Sequence, residues 1–185
     1  MNIEAKELVV ARNKLIVQSL RQKTSPVLPF ELDLLETQFK LLVEEQEENS
    51  RLLSDANNQS SETWHDNHPA QAINERSGRV AIRAQKLQGI MENAIRFNYP
   101  DPGSKMITLG SIIEYRNEDS DNIVLLTGAT SGPNSVAGTE YHMVSLQSPL
   151  GNAILGNEEG CEIAYKVGHK VLTMEVVLVS QLVVD

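Results

Sequence analysis

Apolar residues recur at alternating steps of three and four from Leu32 to Ala56 and again from Ile73 to Ala94, with a polar stretch between. The first series is Leu32, Leu35, Phe39, Leu42, Gln46, Asn49, Leu53 and Ala56. The second is Ile73, Ser77, Val80, Ala84, Leu87, Met91 and Ala94. This period marks the seam of a coiled coil, because it keeps one narrow stripe of each α-helix turned to a partner. Gln46 and Asn49 are polar seam positions, a device that sets register at some cost in stability. Residues 57–69, NNQSSETWHDNHP, have turn composition, and Asn67 followed by Pro69 suits the start of a second helix. Each helix would hold about 28 residues and run about 42 Å at 1.5 Å per residue. Equal lengths, matched seams and a short connection predict an antiparallel hairpin over 30–97 with its tip at 57–69. The small seam residues Ser77, Ala84 and Ala94 allow close approach. The competing arrangement is two helices of an ordinary bundle, but four Tyr, three Phe and one Trp leave little to cover them.

Around this hairpin the pattern changes. Residues 3–22 carry a broad apolar stripe (Ile3, Leu8, Val9, Val10, Leu15, Ile16, Val17, Leu20) decorated by Arg12, Lys14 and Arg21, which predicts an additional amphipathic helix within 1–29. Pro26 and Pro29 end it, because the residue before a proline is pushed out of the helical region. Residues 98–104, NYPDPGS, read as a linker. From 105 to 185 the runs are short and β-like: Met106–Leu109, Ile112–Tyr115, Ile123–Leu126, Tyr141–Val144, Glu162–Val167 and Lys170–Leu182, with turn signals at 117–122, 131–134 and Gly168. One short helix interrupts them, with Ser148 as cap, Pro149 in its first turn and Gly156 at its end. The expected fold class is α+β: a helical hairpin, then a mostly antiparallel β domain with one short helix.

The formal charge of −9 is unevenly spread. Residues 1–29 hold five Lys/Arg against two Asp/Glu, residues 30–97 seven against twelve, and residues 98–185 four against eleven. An acidic balance argues against free nucleic acid as the main ligand, since phosphate binding needs clustered Lys and Arg. A basic protein groove, or a site holding metal ions, is the better electrostatic match. The single cysteine, Cys161, permits no internal disulfide, which suits a reducing compartment. Met1 leads into a charged amphipathic segment, no run reaches the ~20 apolar residues that span a bilayer, and a cytoplasmic location without membrane contact is expected.

Two stretches carry a resemblance. ITLGSIIEYRNEDSDN at 107–122 and VSLQSPLGNAILGNEEGCEIAYKVGHKVLTMEVVLVSQL at 144–182 resemble the carboxy-terminal domain of the bacterial Gre transcript-cleavage factors. The most specific part is Ser148-Pro149-Leu150-Gly151, then Ala153-Ile154-Leu155-Gly156 and an acidic Glu-Glu-Gly. In that family the block opens the short helix of an FKBP-like domain, and a helical hairpin precedes it, as here. SETWHDN at 61–67 falls where Gre factors carry an acidic tip motif, and Glu92-Asn93-Ala94 is a further family-like feature. The likeness covers 30–183; residues 1–29 have no obvious counterpart.

The resemblance implies a transcription elongation factor, not itself an enzyme, whose partner is bacterial RNA polymerase. The FKBP-like domain would bind the rim of the secondary channel, with Ser148 and Pro149 in contact. Glu62 and Asp66 at the tip would help hold a Mg²⁺ ion shared with the polymerase and favour hydrolysis of backtracked RNA, with Trp64 and His65 supporting the tip. Nucleic acid would be met only inside that complex. The residues agree with the role: metal-assisted hydrolysis needs hard oxygen ligands, and no Lys or Arg lies between Arg51 and Arg76, while Asp55, Glu62, Asp66 and Glu75 do. One departure stands out. The family separates its two acids by three positions, whereas Glu62 and Asp66 are four apart and Thr63 takes the three-residue place.

Other readings of the same residues stay open at this stage. Glu62 and Asp66 also suit a solvated turn. Trp64 is either a local packing anchor or a partner contact. His65 and His68 with the acids lack the second ligand cluster of a transition-metal site. Cys161 reads as a buried structural thiol. The rival functions are a channel regulator that blocks without cleavage, a peptidyl-prolyl isomerase on the FKBP-like domain, and a purely structural coiled-coil adaptor.

Overall fold

A computed structural model describes residues 3–59, 68–117 and 120–183. The elements run α1 (Ile3–Arg21), β1 (Ser25–Val27), α2 (Pro29–Gln59), α3 (His68–Glu92), β2 (Ala94–Arg96), β3 (Ser111–Arg116), β4 (Asp121–Thr127), β5 (Gly132–Val136), β6 (Thr139–Ser145), α4 (Pro149–Ile154), β7 (Glu162–Val167) and β8 (Lys170–Gln181). They form two compact units, one of Met1–Leu32 with Asn93–Asp185 and one of Asp33–Glu92. The α+β class, the paired long helices and the mostly antiparallel sheet with one short helix are as expected from the sequence.

In the helical unit, α2 has 31 residues and α3 has 25. Every seam position between 33 and 92 is buried or half-buried, with Leu35, Leu42, Asn49 and Val80 the most enclosed. Arg76 on α3 donates to Glu45 Oε1 on α2 at 2.8 and 2.9 Å. Midway between these positions is the connection at 60–67, as antiparallel pairing requires. This exposed pair contributes about 0–1 kcal/mol, so the apolar seam holds the helices together. The polar seam positions carry a penalty. Gln46 Oε1 and Asn49 Nδ2 are buried and find no hydrogen-bond partner among the described residues. Each such group costs about 1–3 kcal/mol. The helix ends at Glu92 rather than running to 97, because residues 94–96 pair in parallel with β1, Ser25 opposite Ala94 and Val27 opposite Arg96.

The other unit is built on a six-stranded sheet in the order β5-β6-β4-β3-β8-β7, antiparallel except for β4 beside β6. Ala137 and Gly138, both at positive φ, make the two-residue turn between β5 and β6. One sheet face carries the core: Ile113, Val124, Leu126, Ile163, Met174 and Val176, closed by Leu146 and Ile154. A β-bulge where Tyr115 pairs with Val176 inserts Val177 and shifts the alternation, so Val176 and Val179 both face inward. Ile16 of α1 is fully buried in the same cluster. Val9, Asn13 and Ile16, with half-buried Leu20, make the inner face of α1, while Leu8 and Leu15 point to solvent.

Two details differ from the sequence reading. Residues 106–109 form no strand. Ile107 and Leu109 are fully buried, but their backbone is held by the loop after α4, through Ile107 N–H to Asn157 O and Gly156 N–H to Ile107 O. A buried side-chain network completes the tie: Ser111 Oγ donates to Gln181 Oε1, Gln181 Nε2 donates to Ser104 O, and Ser111 Oγ accepts from Thr108 N–H. Residues 132–136, in contrast, form an edge strand inside a stretch that reads as a turn. An edge is where Pro133 is tolerated.

The start of α2 is fixed by a buried carboxylate. Glu31 is fully enclosed. Its Oε2 accepts from Leu28 N–H at 2.9 Å, the backward reach of a capping box with Pro29 opening the helix. Its carboxylate also accepts from three successive backbone N–H groups, Gly128, Ala129 and Thr130, and from Thr130 Oγ1, all at 3.0–3.2 Å. Successive amides converging on an anion form a nest. The chain can approach this closely only because residue 128 is glycine; a Cβ there would run into the Pro26 carbonyl oxygen.

Two substitutions test these features. Glu31→Gln turns an amide N–H₂ toward donors and should destabilise the fold by about 2–3 kcal/mol, the scale of hydrogen bonds to a charged group, read from the urea unfolding midpoint. Asn49→Leu keeps the branched skeleton and removes an unpaired donor; it should raise stability by about 1 kcal/mol in the same experiment.

Candidate functional site

The block that carries the sequence resemblance lies between β6 and β7. Ser148 caps α4, its Oγ accepting from Gly151 N–H at 3.0 Å, and Pro149 occupies the first turn. The approach to the helix is held on both sides. Leu146 N–H donates to Thr127 O, and Ser145 Oγ donates to Gly128 O at 2.9 Å, the residue whose N–H binds Glu31. Gly151 packs so tightly that a Cβ would strike the Ser145 carbonyl oxygen. Ile154 is fully buried, with Leu150 and Leu155 half-buried against the core. Gln147, Pro149 and Asn152 remain exposed and Ser148 half-buried, so this turn offers a small fixed surface.

Helix α1 borders that surface. Arg12 reaches from it into the segment after β2, its Nε donating to Thr108 Oγ1 at 3.2 Å and its Nη2 to Asn98 O at 2.6 Å and Leu109 O at 3.1 Å. The guanidinium lies 5.4 Å from the Phe97 ring centre. Burial holds its pKa below the usual arginine value, with Asp101 opposing the shift. Asn13 Nδ2 donates to Ile107 O at 3.0 Å, and Lys6 pairs with Glu158 at 2.6 Å. Neither Arg12 nor Glu31 stands out in the sequence. Both sit in amphipathic stretches where a charged residue ordinarily faces water, and only the fold brings them their partners.

Glu62, Trp64, His65 and Asp66 lie outside the described residues. The flanking turns bear on their electrostatics. Arg51 lies 4.0 Å from Glu48, and Arg76 is bound to Glu45, so both nearest cations are drawn to acids on α2. Asp55 and Glu75 are exposed, and Asp55 has no ion pair among the described residues. Among the described residues no group of three or more His, Cys, Asp or Glu side chains is placed to hold a metal ion. Nor is any helix of the described residues long and apolar enough to cross a membrane. Cys161 is half-buried beside the core.

No protein-family model matches the chain, and no curated protein matches it. Several solved structures do. The GreA factor homolog 1 (Gfh1) protein of Thermus thermophilus is 20% identical over 84% of this chain and 98% of its own, with a TM-score of 0.38. Gfh1 of Thermus aquaticus is 18% identical over 85% and 98%, with a TM-score of 0.39. The transcription elongation factor GreA/GreB of Nitrosomonas europaea is 19% identical over 85% and 98%, with a TM-score of 0.33.

The acidic end of the block supplies a pH test. Glu159 accepts from Lys105 Nζ at 2.5 Å and from Val179 N–H at 3.3 Å. The Lys105 hydrogen bond, and then the backbone one, hold its pKa below the usual carboxylate value. A carboxylate lowered on folding stabilises the fold above its unfolded pKa and loses that contribution as pH falls through the folded one. Lys105→Met should therefore move the Glu159 midpoint up, toward the usual carboxylate value. Carboxyl carbon NMR across an acid titration reads the shift.

Proposed function

We propose that this chain is a Gre-like transcription factor that binds bacterial RNA polymerase and acts on backtracked or paused complexes through the segment between α2 and α3. The observation that carries the reading is the block from Ser148 to Gly156. The residues behind the resemblance are also those that fold as a capped helix between β6 and β7, and Pro149 is left facing outward. Ser148 and Pro149 are the partner contacts in this reading. The α+β architecture with paired long helices supports it, as does the charge layout around the 57–69 segment.

Glu62 and Asp66 are the acting residues, with Trp64 and His65 in support. Two carboxylates on a stretch free of Lys and Arg fit a hard cation such as Mg²⁺, which prefers oxygen ligands in octahedral array. Two side chains do not complete such a shell, so the polymerase supplies the remainder and the chain holds no ion by itself. When bound, the ion polarises phosphate and water for hydrolysis. The chain's own task is to bring carboxylate oxygens to that place without cations that would neutralise them. The hydrolytic chemistry belongs to the polymerase.

A second reading on the same scaffold is favoured by one feature, the four-residue spacing of Glu62 and Asp66 with Thr63 between. With a single acid engaged, the protein occupies the channel and slows nucleotide addition without stimulating cleavage. A prolyl isomerase is the weaker reading, because it needs an aromatic-lined pocket. Residues 105–185 contain no Phe or Trp, and Tyr115 is buried in the sheet core.

The test is a stalled, backtracked elongation complex with and without the protein. Under the first reading wild type accelerates RNA cleavage. Glu62→Ala with Asp66→Ala still binds polymerase but loses about 10–100-fold of the stimulation, the scale for removing groups that hold and orient a metal site. Wild type that binds and slows nucleotide addition without cleaving selects the second reading. A double variant that cleaves as fast as wild type removes Glu62 and Asp66 from the mechanism, and failure to bind polymerase removes the function altogether.

A further inference from the structure

The exposed wall of α1 combines apolar grooves with a cationic rim. A groove of about 570 Å³ runs beside it, with Met106 and Leu155 opposite Val10, Lys14 and Val17. A second groove of about 540 Å³ lies against Leu146, Gln147 and Asn152, and the two share Val17 and Arg21. Each falls within the ~300–1,000 Å³ usual for binding clefts. The grooves thus flank both ends of α4, with apolar side chains in them and Lys14, Arg21 and Lys23 along the rim.

Three facts say what fits there. Val17 is 37% exposed although both grooves meet at it, so an apolar surface is left open to solvent. Lys14, Arg21 and Lys23 are exposed and make no ion pair among the described residues, whereas Lys6 on the same helix is bound to Glu158. And this cationic rim belongs to a chain whose overall charge is −9. A local excess of cations draws an anionic partner to this wall. The apolar lining distinguishes between anions. Phosphates have nothing to place against Val10, Val17 and Leu155, whereas leucine-like side chains do. The wall from Val10 to Arg21 is three helical turns long, about 16 Å, matched to a helix that sets apolar anchors at i, i+3, i+4 and i+7.

We propose that α1 and the segments flanking α4 form a docking groove for an acidic amphipathic helix of a protein partner. The groove depends on α1, the part of the chain without a counterpart in the sequence resemblance. It does not depend on which partner the 57–69 segment serves.

The probe is a fluorescein-labelled synthetic helix with glutamates on one face and leucines on the other. Its controls are a scrambled peptide of the same composition and a labelled single-stranded RNA. Fluorescence anisotropy with the full chain should show saturable binding of the amphipathic peptide and little of either control. Lys14→Glu with Arg21→Glu should weaken it at least about tenfold, because like charges then face across the contact. Val17→Asp should do the same, with the urea midpoint of each variant unchanged to show that the fold is intact. The proposal is overturned if the amphipathic peptide does not bind, if the scrambled peptide binds equally well, if RNA binds more tightly, or if the folded variants bind like wild type.

Discussion

A single carboxylate organises the sheet unit. Glu31 joins the first turn of α2 to the turn after β4, almost a hundred residues further along the chain. A fully enclosed carboxylate without partners would be very costly. Here the nest at 128–130, the Leu28 amide and the Thr130 hydroxyl supply six contacts to two oxygens. The turn that provides those amides also accepts, at Gly128 O, the Ser145 hydroxyl that leads into α4. The helix start and the candidate binding turn are therefore positioned by one connected set of hydrogen bonds, and each depends on Gly128 lacking a side chain.

Helix α1 is the second constraint. It is far from the sheet in sequence yet is no appendage. Instead Ile16 completes the core, and Arg12 donates to the backbone carbonyls of Asn98 and Leu109. Arginine suits the task because its planar, always-charged fork can satisfy several acceptors at once and still lie over an aromatic ring. One consequence is that the cations left on the outer wall of α1 are held in place by a helix that is itself part of the core.

Charge and stability pull apart in the helical unit. An all-apolar seam would hold α2 and α3 more tightly, yet Gln46 and Asn49 interrupt it with polar atoms that find no partner among the described residues. Polar seam residues are a known means of specifying one register over others. Arg76 reaches across the seam to Glu45, the charged contact that links the two helices beside the apolar one.

The seam, the short helix from Ser148 to Gly156 and most of the strands were legible in the chain itself, because helical and strand periods, proline and glycine are local signals. The resemblance in the 144–182 stretch added a candidate function and named Ser148, Pro149, Glu62 and Asp66. What stayed hidden was decided by contacts distant in sequence. The strands β1 and β2 exist because each pairs with the other, and β5 because β6 offers it an edge; neither has strong propensity. The core-facing backbone of 106–109 is bound by a loop instead of a strand. Arg12 and Glu31 look like surface charges until the fold surrounds them, since a side chain's period reports which face it occupies but not what will be packed there. A sequence determines where the chain can turn and which faces must be covered; only tertiary structure decides which polar groups are buried together, because their partners lie far along the chain.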